Sequence, residues 1–261
     1  MSHFSVAVFT DEYTTVEDLL EPFDEGMEVE KYIALSKKDV IKREKEHIKI
    51  LRKIYKEYMK DKRKYRREHI NNINHLRFIK TVPSITKWND EKIYKHAIKY
   101  YDEEEISKDG GIYSTYNPNS KWDWYEIGGR WSNLLIINDE NNGISHVNYA
   151  KVKDIRWDLI KENIKKQLPS YEKAIKENEW RKEEFLRKYP TEQSYIEDYS
   201  RFYTYAVLTP DGEWYEPGKM GWWGISSATY EEEKEFEKNY EERFIKTANP
   251  EWYLTIVDCH I

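Results

Sequence analysis

Short apolar runs rich in Val, Ile and aromatic residues occur at both ends of the chain and in its second half. Residues 3–10 and 252–260 have this composition, which is typical of buried β-strands. The turn signal Pro210-Asp211-Gly212 separates two further runs and predicts a β-hairpin. The predicted strands are residues 3–10, 134–138, 203–209, 214–216 and 252–260.

The stretches between these runs are polar, with apolar residues at a spacing of three and four that predicts helices. The longest helix would cover residues 37–80, and as a single helix it would extend about 65 Å, against a radius of gyration of about 18 Å for a domain of this size. The segment must therefore project from the body or break, and residues 71–74, Asn-Asn-Ile-Asn, are the favoured break. The predicted helices are residues 16–20, 37–80, 91–104, 155–168, 171–188 and 230–246, with a shorter helix after Pro190.

This order of elements predicts an α+β fold. The N-terminal, middle and C-terminal strands are expected to form one central antiparallel or mixed β-sheet covered by helices. We interpret residues 1–261 as a single domain, into which residues 37–80 are inserted as a projecting basic helical arm. A projecting arm would pack on a partner or on a second copy of the chain, so the sequence also predicts a homo-oligomer.

The amino-acid composition indicates that the chain is folded and not disordered. Charged residues make up 35% of the sequence and hydrophobic residues only 39%, a balance typical of disorder when aromatic residues are few. Here aromatic residues make up 15% and supply enough buried area for a core. The single cysteine, Cys259, excludes an internal disulfide and a multi-cysteine zinc site. Because no long apolar run and no signal peptide are evident, we expect a cytoplasmic protein without membrane contact.

Charge is distributed unevenly along the chain. Residues 37–80 contain 17 Lys/Arg and 6 Asp/Glu, a local charge of +11, while the rest of the chain carries −17. Such a basic segment can bind nucleic acid or an acidic partner. The alternative is a solvated helix attracted to the acidic remainder of its own chain.

Two segments combine tryptophan with glycine, residues 122–131 and 218–224. Glycine lets a backbone approach a ligand closely, indole rings can stack on a base, and Arg130 and Lys219 can bind phosphate or carboxylate. A nucleotide-like anion would use all three properties. The alternative is that the aromatic rings form the core and the glycines serve tight turns. The candidate ligand-binding residues are Trp122, Trp124, Tyr125, Arg130, Lys219, Trp222 and Trp223.

A second candidate site involves both termini. Side chains alternate along a strand, so Asp258 and His260 lie on one face of the last predicted strand and Cys259 on the other. Antiparallel pairing of the first and last strands would bring His3 close to His260. His3, Asp258 and His260 could then perform acid–base catalysis or hold a divalent metal; the alternative is a sheet end whose polar residues face solvent. With no motif such as HExxH in support, we expect neither a metal nor a cofactor.

Four segments of the chain stand out together: MSHF with the apolar strand that follows it, LEPFDE at residues 20–25, WDWYEIGGRW at residues 122–131 and LTPDGEWYEPGKMGWWG at residues 208–224. In these segments the chain resembles a group of proteins encoded by phages and prophages. The resemblance covers about a quarter of the sequence and implies a phage origin, and hence the cytoplasm of a bacterial host. Phage accessory proteins are often counter-defence factors, and many bacterial defences signal through nucleotides.

Three functional hypotheses follow. The first is a non-enzymatic counter-defence protein that binds and sequesters an anionic, nucleotide-like immune signal, with tryptophans stacking the base and Arg130 and Lys219 holding phosphate. The second is a protein-binding inhibitor that docks on a bacterial defence protein through residues 37–80. The third is a nucleotide-directed hydrolase or lyase that uses His3, Asp258 and His260.

Overall fold

The computed structural model describes residues 2–139, 141, 143–221 and 224–261. The chain has a mixed α+β fold, 48% helical and 20% strand, as the order of elements predicted. Its strands are β1 (His3–Thr10), β2 (Tyr32–Leu35), β3 (Ile112–Ser114), β4 (Trp124–Ile127), β5 (Leu135–Asp139), β6 (Gly143–Val147), β7 (Tyr149–Lys151), β8 (Ala206–Leu208), β9 (Trp214–Tyr215) and β10 (Tyr253–His260). Its helices are α1 (Val16–Leu20), α2 (Lys37–Lys60), α3 (Lys62–Glu68), α4 (Ile73–Phe78), α5 (Val82–Ile85), α6 (Asp90–Ala97), α7 (Trp157–Gln167), α8 (Tyr171–Glu177), α9 (Lys182–Lys188), α10 (Glu192–Tyr199) and α11 (Tyr230–Tyr240). Within the described residues, none of the helices has both the length and the apolar character needed to cross a membrane.

The central sheet contains six strands, in the order β4-β10-β1-β8-β9, with β7 also paired to β10. β1 and β10 are antiparallel along their whole length, from His3 opposite His260 to Thr10 opposite Tyr253. β8 lies parallel to β1 on its other side, so the sheet is mixed. The long stretch of chain between β1 and β8 permits this arrangement, because parallel neighbours need a crossover connection. N-terminal, middle and C-terminal strands thus form one sheet flanked by helices, as predicted.

Alternation along β1 and β10 supplies two hydrophobic cores, one on each face of the sheet. One face is covered by α7 and α11. On this face the two strands contribute Ala7, Phe9, Leu254 and Ile256. The face that α1 covers carries Val6, Val8, Val257 and Cys259. Strands buried on both faces consist of nearly continuous apolar residues, which is why both could be recognised in the sequence.

β8 and β9 form the predicted hairpin around the turn at residues 210–212. The first strand is shorter than the predicted residues 203–209 and covers only Ala206–Leu208. The Thr204 hydroxyl bonds to the carbonyl of the residue that begins this strand, at 2.7 Å. Such a local side-chain bond offers the backbone an alternative to strand pairing.

Contacts divide the chain into two compact units. The first comprises residues up to 27 and from 117 onward and contains the central sheet. The second comprises residues 28–116 and contains α2 to α6 with the β2–β3 pair. The predicted arm, residues 37–80, belongs to this second unit. The interpretation of residues 1–261 as one domain stays a prediction.

Residues 37–80 do not form one helix. The chain leaves helical geometry at Asp61, whose carboxylate accepts hydrogen bonds from two backbone N–H groups in the first turn of α3. A second break follows α3 at residues 69–72, and the Asn72 side chain caps α4 in the same way. The predicted break at residues 71–74 is therefore confirmed to within two residues. The break at Asp61 was not predicted, although Lys62 interrupts the apolar spacing there.

The helices of the second unit share a hydrophobic core of their own. α2, α5 and α6 contribute most of its buried residues, which are Ile48, Leu51, Tyr58, Ile79, Val82, Ile85 and Ile93. The apolar side of α2 is covered within the unit, and its lysines and arginines are exposed. The predicted packing of this segment on a second copy of the chain stays a prediction.

We predict that Ile79→Ala lowers the free energy of unfolding of the second unit by about 2 to 5 kcal/mol, because it leaves a cavity in this core. Ile79 is 1% exposed, whereas Ile73, six residues earlier, is 59% exposed. Ile73→Ala is therefore the matched control and should change stability by less than about 0.5 kcal/mol. Urea denaturation followed by circular dichroism measures both. Equal, small losses for the two variants would show that the segment is solvated instead of packed.

Cys259 is fully buried in the sheet, and burial raises the pKa of its thiol. A raised pKa leaves less thiolate, the reactive form, at any given pH. We predict that 5,5′-dithiobis(2-nitrobenzoate) labels Cys259 in the native protein only at the rate at which the sheet opens and exposes the thiol. In denaturant the reagent should label one thiol per chain at once. Absorbance of the released thionitrobenzoate measures both rates. Immediate stoichiometric labelling of the native protein would contradict the burial.

Candidate functional site

β10 lies between β1 and β4 in the central sheet, and its register brings three distant segments together. His260 is opposite His3 on one side and opposite Trp124 on the other. The predicted pairing of the termini is therefore confirmed, and the first Trp/Gly segment meets them at the same end of the sheet. We call this group of residues the sheet-end cluster; it comprises His3, Asp123, Trp124, Arg130, Asp258 and His260.

Asp258 is the buried anchor of the sheet-end cluster. Its side chain is 2% exposed, and Oδ1 lies 2.9 Å from Nδ1 of His3. Oδ2 accepts a hydrogen bond from the backbone N–H of Arg130 at 2.9 Å. A buried carboxylate requires such partners, because burial otherwise penalises the charge. When the Nδ1 proton of His3 is donated to Asp258, Nε2 of His3 is left as the acceptor.

His260 makes the same kind of pair with Asp123. Its Nδ1 lies 2.6 Å from Oδ1 of Asp123, and the His260 side chain is 13% exposed. Nε2 of His260 is shielded from solvent and has no hydrogen-bond partner within the described ranges. The ring centroids of His3 and His260 are 5.1 Å apart, with an angle of 74° between the planes. The cluster therefore contains two imidazoles in edge-to-face contact, each oriented by a carboxylate.

The two glycines of the first Trp/Gly segment make room for this arrangement. Gly128 and Gly129 have φ angles of +78° and +49°, in the left-handed region that side chains disfavour. A Cβ atom on Gly129 would lie 2.5 Å from Cβ of Asp258, and one on Gly128 would lie 2.6 Å from Nδ2 of Asn148. The close approach that these glycines permit is to Asp258 and Asn148. This agrees with the alternative interpretation, in which the glycines serve a tight turn.

Trp124 and Arg130 form the exposed rim of the sheet-end cluster. Trp124 is 50% exposed, and its ring centroid is 6.3 Å from that of His3, with the planes nearly perpendicular at 82°. Arg130 is exposed, and its guanidinium forms no ion pair in the part of the chain that the structure describes. An accessible indole thus lies beside His3, and an exposed arginine follows it in the turn whose backbone supports Asp258.

Trp122 and Tyr125, also predicted to bind a ligand, lie on the opposite face of the sheet. Trp122 is buried in the core that contains Cys259, and its indole N–H donates to the carbonyl of Leu20 at 3.1 Å. Tyr125 is opposite Cys259 in the β4–β10 register, and its ring packs edge-on against Trp122 with 5.0 Å between centroids. Their positions match the interpretation of these aromatic residues as core and separate them from His260.

The second Trp/Gly segment was predicted to share a ligand site with the first, and none of its described residues belongs to the sheet-end cluster. Gly218 packs against the backbone of Ala228, where a Cβ atom would lie 2.4 Å from the amide nitrogen. Lys219 is exposed, and its side chain has no bonded partner among residues 2–139, 141, 143–221 and 224–261. The remaining predicted residues, Trp222 and Trp223, lie outside the described residues.

An ion pair joins two residues that lie just before the two Trp/Gly segments in the sequence. Nζ of Lys121 lies 2.6 Å from Oε1 of Glu216, and both side chains are largely buried. The indole N–H of Trp214 donates to the other oxygen of Glu216 at 3.0 Å. Trp214 is therefore held in the structure as a packing residue, with its ring 4.9 Å from that of Phe23.

Sequence reasoning did not pair Asp123 with His260. The two residues are 137 positions apart, and only the β4–β10 pairing brings them together. No group of three His, Cys, Asp or Glu side chains is placed to hold a metal ion, as far as the described residues extend. The chemistry open to the sheet-end cluster's own side chains is proton transfer and the binding of a charged, ring-bearing ligand.

Comparison of the chain with protein-family models, with curated proteins and with solved structures gives no match. The resemblance to phage and prophage proteins therefore stays a prediction.

Proposed function

We propose that the sheet-end cluster is an acid–base site that cleaves a phosphate ester of a nucleotide-like anion. The observation that carries this proposal is the pair of imidazoles, each held by a carboxylate and with ring centroids 5.1 Å apart. A carboxylate on Nδ1 fixes the tautomer and orientation of a catalytic histidine and stabilises its protonated form. Two such histidines side by side can supply one base and one acid.

The reaction needs one neutral and one protonated imidazole. Nε2 of His3 accepts a proton from water as the oxygen attacks phosphorus, and Nε2 of protonated His260 donates a proton to the leaving oxygen as the P–O bond breaks. Each histidine then regains its starting state by proton exchange with solvent, which at the shielded Nε2 of His260 requires that a neighbouring side chain moves. Attack by a ribose 2′-hydroxyl in place of water would give a lyase with the same acid and base.

The exposed rim supplies the binding part of the proposal. The Trp124 ring can stack on a base, which contributes about 1 to 3 kcal/mol in single-strand binders. The guanidinium of Arg130 can hold a phosphate through two parallel hydrogen bonds. These contacts point to a nucleotide as the substrate class. If the resemblance to phage proteins holds, that nucleotide would be an immune signal of the bacterial host.

Sequestration without turnover is the second candidate, and one observation favours it. Nε2 of His260 is closed off from solvent, so a substrate reaches it only if a neighbouring side chain moves. Trp124 and Arg130 are accessible without any such movement. A protein that binds the same nucleotide and holds it intact would use the rim alone. Docking on a defence protein through residues 37–80 stays a third prediction.

For turnover, we predict that His3→Asn and His260→Asn each lower kcat/KM by about 10²- to 10⁴-fold, the usual contribution of a general acid or base. Asparagine keeps an amide N–H near the position of Nδ1, so the carboxylate partner stays bonded while Nε2 is lost. The measurement is mass spectrometry of a panel of linear and cyclic nucleotides after incubation with the protein.

His47→Asn is the matched control, because His47 is an exposed histidine on α2 and should leave the rate unchanged. The wild-type rate should also pass through a maximum with pH, since one imidazole must be neutral and the other protonated. Recovery of every nucleotide intact from the wild-type protein would exclude cleavage and leave sequestration.

For binding, we predict that Trp124→Ala and Arg130→Ala each weaken the affinity for a phosphorothioate nucleotide by about 5- to 150-fold. The phosphorothioate resists cleavage, so isothermal titration calorimetry reports binding alone. The backbone N–H of Arg130 that supports Asp258 is kept in both variants. Trp180→Ala and Arg181→Ala are matched controls: Trp180 is 78% exposed, Arg181 lies over its ring, and neither belongs to the sheet-end cluster. Equal effects of the control and test variants would contradict a specific site.

A further inference from the structure

A cavity of about 420 Å³ lies in the first unit, and it shares no residue with the sheet-end cluster. Its lining comes from α7, from residues 200–202 after α10, and from residues 241–246 after α11. Cavities of this size hold small molecules when they combine apolar walls with a few polar groups.

Two aromatic rings and one aliphatic side chain supply the apolar walls. Trp157 and Phe202 are edge-to-face, with 5.4 Å between ring centroids, and both line the cavity. Ile245 lines it from the segment after α11 and is itself part of the main core. Both aromatic residues are half-buried, so each keeps some ring surface for another flat group.

Ser200 lines the same cavity and is 1% exposed. Its backbone N–H closes α10 by donating to the carbonyl of Ile196 at 2.9 Å. Its hydroxyl is shielded from solvent and has no hydrogen-bond partner in the described part of the chain. Because the hydroxyl is shielded, a ligand in the cavity bonds to it only if a neighbouring side chain moves. A buried hydroxyl costs free energy unless it is paired, so that bond would recover the cost.

The charged side chains around the cavity are mostly neutralised by neighbours. Arg201 is paired with Asp198 at 2.6 Å. Asp158 is paired with Arg156 at the same distance. Lys246 lies between two glutamates, one of which, Glu241, also lines the cavity. Lys161 is the lining cation that has no ion pair, counting only the residues that the structure describes.

The backbone that carries Glu241 and Ile245 is a π-helical turn, Glu241–Ile245. The N–H of Lys246 donates to the carbonyl of Glu241 at 2.9 Å, five residues back, instead of the usual four. Single π-turns are uncommon and occur frequently at functional sites, because they redirect side chains at some cost in helix stability. Here the turn places both of its end residues on the cavity.

We propose that this cavity binds a small aromatic carboxylate. The flat ring packs against Trp157 and Phe202, the carboxylate pairs with Lys161, and a polar atom of the ligand bonds to the hydroxyl of Ser200. Apolar walls select the ring, and the ammonium of Lys161 selects its acidic group. The site is independent of the proposed phosphate-ester chemistry and can be occupied whether or not that chemistry occurs.

The test is isothermal titration of the full chain with indole-3-carboxylate and naphthalene-2-carboxylate, each against its neutral carboxamide. We expect saturable binding of the acids and about tenfold weaker binding of the amides, the usual effect of losing one charged hydrogen bond. Equal affinity for acid and amide, or no saturable binding of either acid, would overturn the proposal.

Lys161→Met should weaken the binding of the acids about tenfold and leave that of the amides unchanged. Lys165→Met is the matched control, because Lys165 is exposed one turn further along α7 and does not line the cavity. Ser200→Ala should keep or raise the melting temperature of the ligand-free protein and still weaken the acids several-fold. Equal effects of Lys161→Met and Lys165→Met, or unchanged affinity in Ser200→Ala, would contradict the proposed contacts.

Discussion

The antiparallel pairing of β1 with β10 is the interaction on which the rest of the first unit depends. It joins the two ends of the described chain through eight residue pairs and leaves both strands buried on both faces. A slip of one residue would turn every side chain of β10 to the other face. Asp258 would then enter the apolar core that now holds Cys259, and neither histidine would keep its carboxylate. The register that builds the two cores therefore also builds the sheet-end cluster.

Asp258 shows how one buried charge constrains residues far along the chain. With 2% of its side chain exposed, it needs a partner for each oxygen. His3 supplies one, and the backbone N–H of Arg130 supplies the other. That N–H reaches the carboxylate only because Gly129, with a positive φ and no Cβ, lets the turn pass against Asp258. A larger residue at position 129 would displace the turn and leave a buried oxygen unpaired, which costs about 1 to 3 kcal/mol or more for a charged group.

Periodicity along single segments was enough to predict both terminal strands, the face shared by Asp258 and His260, and the position of Cys259 on the opposite face. Pairing between strands that are distant in sequence was not predictable, because no local pattern records which edge of β10 receives β4. For that reason the Trp/Gly site and the terminal site were predicted as separate sites. Trp122 was predicted to bind the ligand, although its ring lies in the core that contains Cys259. The break at Asp61 was not predicted because Asp61 is one charged residue in a strongly charged segment. Its role as a cap is evident only from the hydrogen bonds that it accepts in the first turn of α3.

Both candidate sites contain groups that are unfavourable for the stability of the fold. On the face of β10 that carries Leu254 and Ile256, apolar packing gives way to a buried carboxylate and two histidines at the end of the strand. Such a polar group could be replaced by apolar residues without loss of stability, since burial of charge offsets much of what its bonds contribute. At the cavity, a hydroxyl with no partner among the described residues and a π-helical turn are both costly to the free protein. Sequences depart from local consistency mainly where function requires it. In the sheet-end cluster the departure from local consistency is a group of buried ionisable side chains. At the cavity it is a π-helical turn in the backbone, so the two candidate sites have different physical origins.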